Sequence, residues 1–401
     1  MKQYRFLDLS GYMFSGKAAA IDLIREFKGY DVPNYRYEFP LIRIQDGIMD
    51  LEKALVDDWS PIRSDVALKR FLKLTAKMAN RRRKISLKEE ELVAWGFDEI
   101  YAEKFREYSE EYAESLVDLR TRAAWPYYEL VQSFYELSVR LLLPRIKGWK
   151  LSLLKATLLP VRWGPALLFP RYANDFRNIV ASILNPLSVA TAPKAKNKVK
   201  KSAVSYDWPV VDLTIPSGEG FYEKTQAYLE KLLSVAMSDR ENHTIVMHNA
   251  FEPFNPWRAI KYFGDAKCIV VDRDPRDIYV TSRTYSKGFN DDPNVNERIS
   301  FSYDVDLFIR RFMILRKNSN VSKDPPGRVL RIRFEDLVMN YANSLQRIYD
   351  FLGENESTHE KKLQFFDPSV SRKNVGLWKS YPNQGEIQKI RNALESFCYD
   401  S

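Results

Sequence analysis

The sequence predicts an α/β fold with a mostly parallel central sheet flanked by helices. Near the N-terminus, an apolar run at residues 6–9 indicates a buried strand, residues 11–16 a turn, and residues 17–27 a helix. After about residue 221, apolar runs alternate again with helical periodicity. Strands that alternate with helices are typical of a parallel sheet covered on both faces, and ligands bind such sheets at the carboxyl ends of the strands.

The composition indicates a globular protein with an anionic partner. The chain has 401 residues, of which 45% are hydrophobic, and a formal net charge of +9. This charge favours nucleotides, polyanionic sugars, anionic lipids or nucleic acids without choosing among them. The two cysteines cannot form a disulfide framework, and no Cys/His pair has zinc-ligand spacing. We therefore expect a reduced compartment and no metal site.

The middle of the chain predicts a mainly helical insertion that divides the α/β core. Residues 1–60 would form the first part of the core, residues 61–220 the insertion, and residues 221–401 the rest of the core. Within the insertion, the basic run at residues 81–84 is interpreted as a solvated helix end. Because it lacks a pattern of aromatic stacking platforms, nucleic acid is not favoured as a partner.

Residues 137–170 are amphiphilic, because Arg, Lys, Pro and Trp interrupt their apolar residues. We interpret them as part of a helical subdomain packed on the core, with contact to a membrane surface as the alternative. The N-terminus has no basic region followed by an apolar one, and no stretch of about 18 residues is free of charge. We expect a cytoplasmic protein, with peripheral binding to the inner face of the membrane as an alternative.

The first turn carries a phosphate-binding pattern. Residues 11–18 (GYMFSGKA) match G-x-x-x-x-G-K, but Ala18 stands where a nucleoside-triphosphatase loop has Ser or Thr to bind magnesium. A helix N-terminus presents unpaired N–H groups and a partial positive charge, which bind phosphate or sulfate. We expect Ser15, Gly16, Lys17 and Ala18 to bind an anion; the alternative is a glycine turn with a surface lysine.

A second candidate anion site follows the apolar run of residues 268–272. Arg273 stands at the end of that predicted strand, and Thr281 and Ser282 follow about two helical turns later. A planar guanidinium with a nearby hydroxyl is suited to binding a terminal phosphate.

Together these motifs resemble the sulfotransferases that use 3′-phosphoadenosine 5′-phosphosulfate (PAPS). In the 3′-phosphate motif of that family, an apolar strand runs into an R-D-P-R-D-like segment with Ser or Thr eight residues after the first Arg. Arg273 and Thr281 stand in that relation. Residues 331–337 (RIRFEDL) look like the family's strand ending in Y-E-D, with Phe334 in place of the tyrosine. Residues 372–379 (RKNVGLWK) look like its C-terminal R-K-G-x-x-G-x-W-K loop, shorter by one residue.

The resemblance implies a divergent, bacterial-type sulfotransferase with the P-loop-like sulfotransferase fold. It also implies PAPS as the sulfuryl donor, 3′,5′-ADP as the product and no metal. The first turn would bind the 5′-phosphosulfate, although Phe14 replaces the family's usual lysine and Lys17 follows instead. Arg372 and Lys373 are implied contacts of the 3′-phosphate.

His248 is the candidate catalytic base. It closes the predicted strand TIVMH, 25 residues before Arg273, and some cytosolic family members carry a catalytic histidine at a similar distance. An imidazole can accept the proton of an acceptor hydroxyl, while Lys17 would stabilise charge on the leaving oxygen. The alternatives are a structural histidine at a strand end, and Asp46 or Glu252 as the base, because other branches of the family use a carboxylate.

The predicted activity is transfer of a sulfuryl group from PAPS to a hydroxyl or amine, with a carbohydrate or glycolipid as the expected acceptor. A P-loop kinase or nucleotide hydrolase is the first alternative, against which Ala18 argues. A non-catalytic protein that binds anions or membrane surfaces is the second, and Phe14 and Phe334 keep it open. Arg43 and Asp46 are interpreted as ordinary loop residues, with a position facing the first turn as the alternative.

Overall fold

A parallel sheet lies at the centre of the fold. The computed structural model describes residues 4–33, 38–79, 96–124, 210–239, 241–287 and 304–399. Its strands are β1 (Arg5–Gly11), β2 (Tyr30–Asp31), β3 (Val117–Ala124), β4 (Val210–Pro216), β5 (Thr244–His248), β6 (Ala266–Asp272) and β7 (Val329–Arg333). Five of them pair in parallel in the order β2-β5-β1-β6-β7. The predicted fold class is thereby confirmed.

Helices flank this sheet. Those of the described residues are α1 (Lys17–Ile24), α2 (Ile48–Glu52), α3 (Pro61–Ala79), α4 (Phe97–Ile100), α5 (Phe105–Ser115), α6 (Phe221–Val235), α7 (Trp257–Ile260), α8 (Pro275–Lys287), α9 (Val305–Lys317), α10 (Phe334–Met339), α11 (Tyr341–Leu352), α12 (Pro368–Ser371) and α13 (Gln384–Leu394). The first helix ends three residues before its predicted end. The apolar segment at residues 39–44 contains a 3-10 turn, Pro40–Ile42.

The two faces of the sheet are covered by separate apolar clusters. On one face, Leu7 and Leu9 of β1 pack with residues of α1 and α11. On the other face, Phe6 packs with residues of α3 and α6. A third apolar cluster joins α8, α9 and α13. Burial on both faces explains why these strands read as nearly continuous apolar runs.

The strand register brings several loops to one edge of the sheet. Leu9 pairs with His248, and β1 continues to Gly11, which pairs with Val271 of β6. The carboxyl ends of the three adjacent strands therefore lie side by side, and the first turn, the turn after β5 and Arg273 all emerge there. This is the edge at which a parallel sheet binds its ligands.

Part of the predicted helical insertion is a β-ribbon. The pattern predicts helix through residues 117–124, but β3 pairs antiparallel with β4 in a register that runs from Val117↔Pro216 to Ala124↔Val210. That helix prediction was wrong, because the alternating sequence VDLRTRAA meets a β-branched partner segment that lies far along the chain. Outside this ribbon, the described part of the insertion is mostly helical, and its predicted boundaries stay predictions.

Two predictions on the insertion lie outside the described residues. These are the solvated helix end at residues 81–84 and the membrane-surface contact of residues 137–170. Each helix that the structure does describe is too short or too polar to span a bilayer.

Asp8 is a fully buried carboxylate within β1. It accepts hydrogen bonds from the backbone N–H groups of Ala250 (2.8 Å) and Phe251 (3.3 Å), and from the hydroxyl of Ser10. Burial raises the pKa of Asp8 to about 6, although these hydrogen bonds and the charge of Lys17 oppose the shift. Asp8 thereby fixes the turn that follows β5, at the cost of a buried charge.

We expect Asp8→Asn to change how stability depends on pH. Because the pKa of Asp8 is higher in the folded state than in the unfolded state, folding is favoured by protonation, and stability is lost as the pH rises through 6. The free energy of unfolding of the wild type, minus that of Asp8→Asn, should rise by up to about 3 kcal/mol between pH 7 and pH 4. Urea unfolding at several pH values measures this difference, and a constant difference would contradict the prediction.

Candidate functional site

Two cavities meet at the first turn. The larger one, of about 1160 Å³, is lined by Arg273, Thr281 and residues of α1, and we call it the Arg273 cavity. The smaller one, of about 420 Å³, is lined by Phe312, by other residues of α9 and by the start of the first turn, and we call it the Phe312 cavity. Phe14 lines both cavities and therefore stands at their boundary.

Glycine and phenylalanine shape the first turn. Gly16 has a left-handed backbone with φ +81°, and a Cβ atom added to it would lie 2.4 Å from the ring of Phe334. Phe334, which replaces the family's tyrosine, thus packs directly on the turn. Phe14 is also left-handed, with φ +57°, which is uncommon for a bulky residue. Ser15 is buried, and its hydroxyl has no hydrogen-bond partner among the described residues.

Lys17 faces a cluster of charged side chains. Its Nζ lies 3.4 Å from Oε1 of Glu38. Burial lowers the pKa of Lys17, although Glu38 opposes this shift. Burial alone would raise the pKa of Glu38, but Lys17, the Asn249 amide and Arg43 bring it below its ordinary value. Arg43 pairs with both Glu38 and Glu252, so the cluster continues into the Phe312 cavity.

Arg273 connects three segments of the chain. Its Nη1 donates hydrogen bonds to the carbonyl oxygen of Phe14 (3.1 Å) and to Oγ1 of Thr281 (3.2 Å). Its Nη2 donates to the carbonyl oxygen of Asn374 in the C-terminal loop (2.5 Å). The guanidinium also lies over the ring of Phe334, 5.1 Å from its centroid. Its Nε is buried without a partner among the described residues.

The rest of the arginine motif anchors the C-terminal loop. Asp277 accepts hydrogen bonds from the backbone N–H groups of Gly376 (2.8 Å) and Trp378 (3.1 Å). Arg276 pairs with Asp274 (2.6 Å) and stacks over the ring of Trp378, 4.0 Å from its centroid. The motif and the loop are therefore parts of one structural unit.

The predicted anion-binding residues take different positions. Gly16, Ala18 and Thr281 line the Arg273 cavity, whereas Ser282 lines the Phe312 cavity. Arg372 and Lys373 lie exposed in the 3-10 turn Arg372–Asn374 and are not among the described residues that line either cavity, although Ser371 and Asn374 on either side are.

The candidate bases are also separated. His248 ends β5 half-buried, and neither it nor Asp46 is among the described residues that line the two cavities. Glu252 lines the Phe312 cavity, as does Arg43, for which a position facing the first turn was the alternative interpretation. The role of each of these residues stays a prediction.

Two residues of the cluster were missed by sequence reasoning. Nothing in the local sequence distinguishes Glu38 from other loop carboxylates. Asn249 directly follows a predicted strand end, which is a signal that could have found it. Its side-chain oxygen accepts a hydrogen bond from the N–H of Gly11 (3.1 Å), and its amide donates to Glu38.

A metal site needs several ligating side chains close together. In the described residues, no set of three or more His, Cys, Asp or Glu side chains is arranged to hold a metal ion.

Part of the chain matches a known protein family. Residues 192–358 match the profile of the sulfotransferase family. This match covers less than half of the chain. The predicted resemblance to sulfotransferases is confirmed over the matched residues, which include Arg273, Thr281 and Phe334. The first turn and residues 372–379 lie outside the match, although they contact Arg273 or Phe334 within it.

Three solved structures show low similarity to this chain. Sulfotransferase STF9 from Mycobacterium avium has 10% identity and a TM-score of 0.31, covering 99% of this chain and 76% of that chain. The sulfotransferase domain of the curacin biosynthetic pathway has 16% identity and a TM-score of 0.24, with 58% and 77% covered. Retinol dehydratase, in complex with androsterone and inactive cofactor PAP, has 14% identity and a TM-score of 0.24, with 46% and 66% covered. Similarities this low carry no conclusion about the acceptor. No curated protein matches the chain.

We expect Gly16→Ala to destabilise the protein more than a glycine replacement elsewhere. A left-handed backbone costs a non-glycine residue about 1–2 kcal/mol, and the added methyl would also overlap Phe334. Gly353→Ala is the matched control, since Gly353 has φ +76° and no atom within 4 Å of its Cβ position. The loss in free energy of unfolding should be larger for Gly16→Ala by about 1–3 kcal/mol. Equal losses in urea unfolding would show that Phe334 does not confine the turn.

Proposed function

We propose that this chain transfers a sulfuryl group from PAPS to a hydroxyl or amine of an acceptor, with a carbohydrate or glycolipid as the first candidate. The observation that carries the proposal is the position of Arg273. Its guanidinium lies in the larger cavity beside Thr281 and is hydrogen-bonded to the first turn through the carbonyl oxygen of Phe14. Arg273 and Thr281 thus line the same cavity as Gly16 and Ala18 of the turn proposed to bind an anion.

The residues present fit such a donor. Ser15 Oγ and Arg273 Nε are both buried without a partner among the described residues, and each could bond an anionic oxygen. The first turn, from Ser15 to Ala18, would hold the 5′-phosphosulfate. Arg273 and Thr281 would hold the 3′-phosphate, with Arg372 and Lys373 close by on the C-terminal loop.

The reaction is a single displacement at sulfur. A bond forms between sulfur and the acceptor oxygen, the bond from sulfur to the 5′-phosphate oxygen breaks, and the acceptor proton passes to a base. Lys17 would stabilise the negative charge that develops on the 5′-phosphate oxygen. Glu38 keeps the Lys17 ammonium close to the turn, because the two side chains form an ion pair.

We expect Arg273→Lys to weaken binding of 3′,5′-ADP by about 10- to 100-fold while it changes binding of 5′-AMP little. A lysine cannot reproduce the forked hydrogen bonds of a guanidinium, and bonds to a charged group contribute about 1.5–3 kcal/mol. Isothermal titration calorimetry with both nucleotides measures the difference. An equal loss for both nucleotides would show that Arg273 acts on the shape of the cavity and not on a 3′-phosphate.

The same calorimetry tests the alternatives. Magnesium-dependent binding of ATP in preference to 3′,5′-ADP would favour a P-loop kinase or hydrolase, against which Ala18 argues. Binding of 3′,5′-ADP without transfer to any acceptor would favour the non-catalytic alternative.

The cytoplasmic location, and the membrane contact of residues 137–170, stay predictions from the sequence.

For the base, the geometry favours Glu252 over His248. Glu252 lines the Phe312 cavity, into which an acceptor can enter, whereas His248 is not among the described residues lining it. Glu38 also lines this cavity, but its lowered pKa makes it a weaker proton acceptor.

We therefore expect Glu252→Gln to lower kcat by about 100-fold or more, with 3′,5′-ADP affinity unchanged, since the proton would have no acceptor. His248→Gln is the comparison and should lower kcat far less. Transfer of radiolabelled sulfuryl groups from PAPS to a mixed acceptor set measures both, and the reverse ranking would restore His248 as the base.

A further inference from the structure

We infer that the acceptor is an amphiphilic alcohol, whose apolar body occupies the Phe312 cavity and whose hydroxyl lies at the polar cluster beside the first turn. This inference rests on the proposed function, which assigns the Arg273 cavity to the donor. It narrows the acceptor to a molecule with a substantial apolar part, such as a glycolipid, and excludes a free oligosaccharide.

The walls of the Phe312 cavity are mostly apolar. They include Met13, Phe254, Ile278, Phe308, Phe312 and Leu315. Phe308 and Phe312 project from α9, and their ring centroids are 6.0 Å apart. At about 420 Å³, the cavity has the size of a typical small-molecule site. Such a surface gains free energy from an apolar ligand in proportion to the area removed from water, and a sugar alone removes little.

Four of the polar residues in the lining form one connected cluster. Glu38, Arg43, Asn249 and Glu252 line the cavity together and are linked by hydrogen bonds and ion pairs. Lys17 of the first turn pairs with Glu38 of this cluster. A hydroxyl that enters the cluster therefore lies next to the turn that would hold the sulfuryl group, and it meets both donors and acceptors of hydrogen bonds.

Two of the three arginines that line the cavity pair with carboxylates. Arg43 pairs with Glu38 and Glu252. Arg316 donates to both carboxylate oxygens of Asp272, at 2.5 and 2.9 Å, and stacks over a tyrosine ring. To bind Arg43 or Arg316, a polyanionic acceptor would have to displace these carboxylates, which disfavours it at these two residues despite the net positive charge of the chain.

Two apolar residues of the lining also reach the protein surface. Met13 and Leu315 line the cavity and are 48% and 47% exposed. Their exposure extends apolar surface from the interior to the protein surface, where a longer alkyl chain can continue. Leu307 of the same helix is equally exposed, at 46%, but is not among the residues that line the cavity.

A homologous series of neutral glycosides tests the inference. Methyl, butyl, hexyl and octyl β-D-glucoside carry the same hydroxyls and differ only in their apolar part. Below their micellar concentrations, and with 3′,5′-ADP bound, affinity should rise by about three-fold for each added methylene until the cavity is filled. Titration calorimetry measures this without turnover. An affinity that does not change with chain length would overturn the inference.

Two surface variants test whether the Phe312 cavity is the place of binding. Leu315→Gln should weaken the binding of octyl glucoside at least three-fold and leave the binding of methyl glucoside unchanged. Leu307 is equally exposed on the same helix, and Leu307→Gln should change the binding of neither glucoside. Equal effects of the two variants would overturn the assignment to this cavity.

Failure of the two proposals can be told apart. Normal binding of 3′,5′-ADP with no dependence on chain length would refute the acceptor class and leave the donor proposal intact. A steep dependence in a protein that does not bind 3′,5′-ADP would support the apolar site and refute the donor proposal.

Discussion

The structure of the site depends on one buried cation. Arg273 reaches the first turn through Phe14 and the C-terminal loop through Asn374. Burial lowers the pKa of Arg273, and the nearby carboxylate of Asp277 opposes that shift. Burial of a guanidinium costs free energy that its hydrogen bonds offset, so the segments that supply acceptors to Nη1 and Nη2 are held in place by it. Removal of this charge would release the first turn from the loop.

Segments distant in sequence form this site because of the strand register. The parallel pairing of β1 with β5 and β6 places three strand ends at one edge. Phe334 begins the helix after β7 and packs on Gly16, and Asp277 holds the backbone of the C-terminal loop. Each of these contacts joins two motifs of the candidate site. The fold and the candidate site therefore stabilise one another.

Local patterns explain what the sequence could predict. The strands β1, β5, β6 and β7 are short apolar runs, and the arginine motif is contiguous, so both were found without tertiary information. The pairing of β3 with β4 was not found, because helical periodicity near residue 117 is outweighed by a partner strand about 90 residues away. Glu38 was missed for a similar reason: its importance arises only from its contacts with Lys17, Arg43 and Asn249.

The division of the site into two cavities has a consequence for catalysis. Thr281 and Ser282 are neighbours on α8 but line different cavities, and Phe14 lines both. Donor and acceptor would therefore approach the first turn from separate sides, as a displacement at sulfur requires. Glu38 is the charge common to the two sides, since it pairs with Lys17 at the turn and with Arg43 in the Phe312 cavity. A group that disturbs Arg43 in the Phe312 cavity would therefore alter the electric field at Lys17 through their shared partner Glu38.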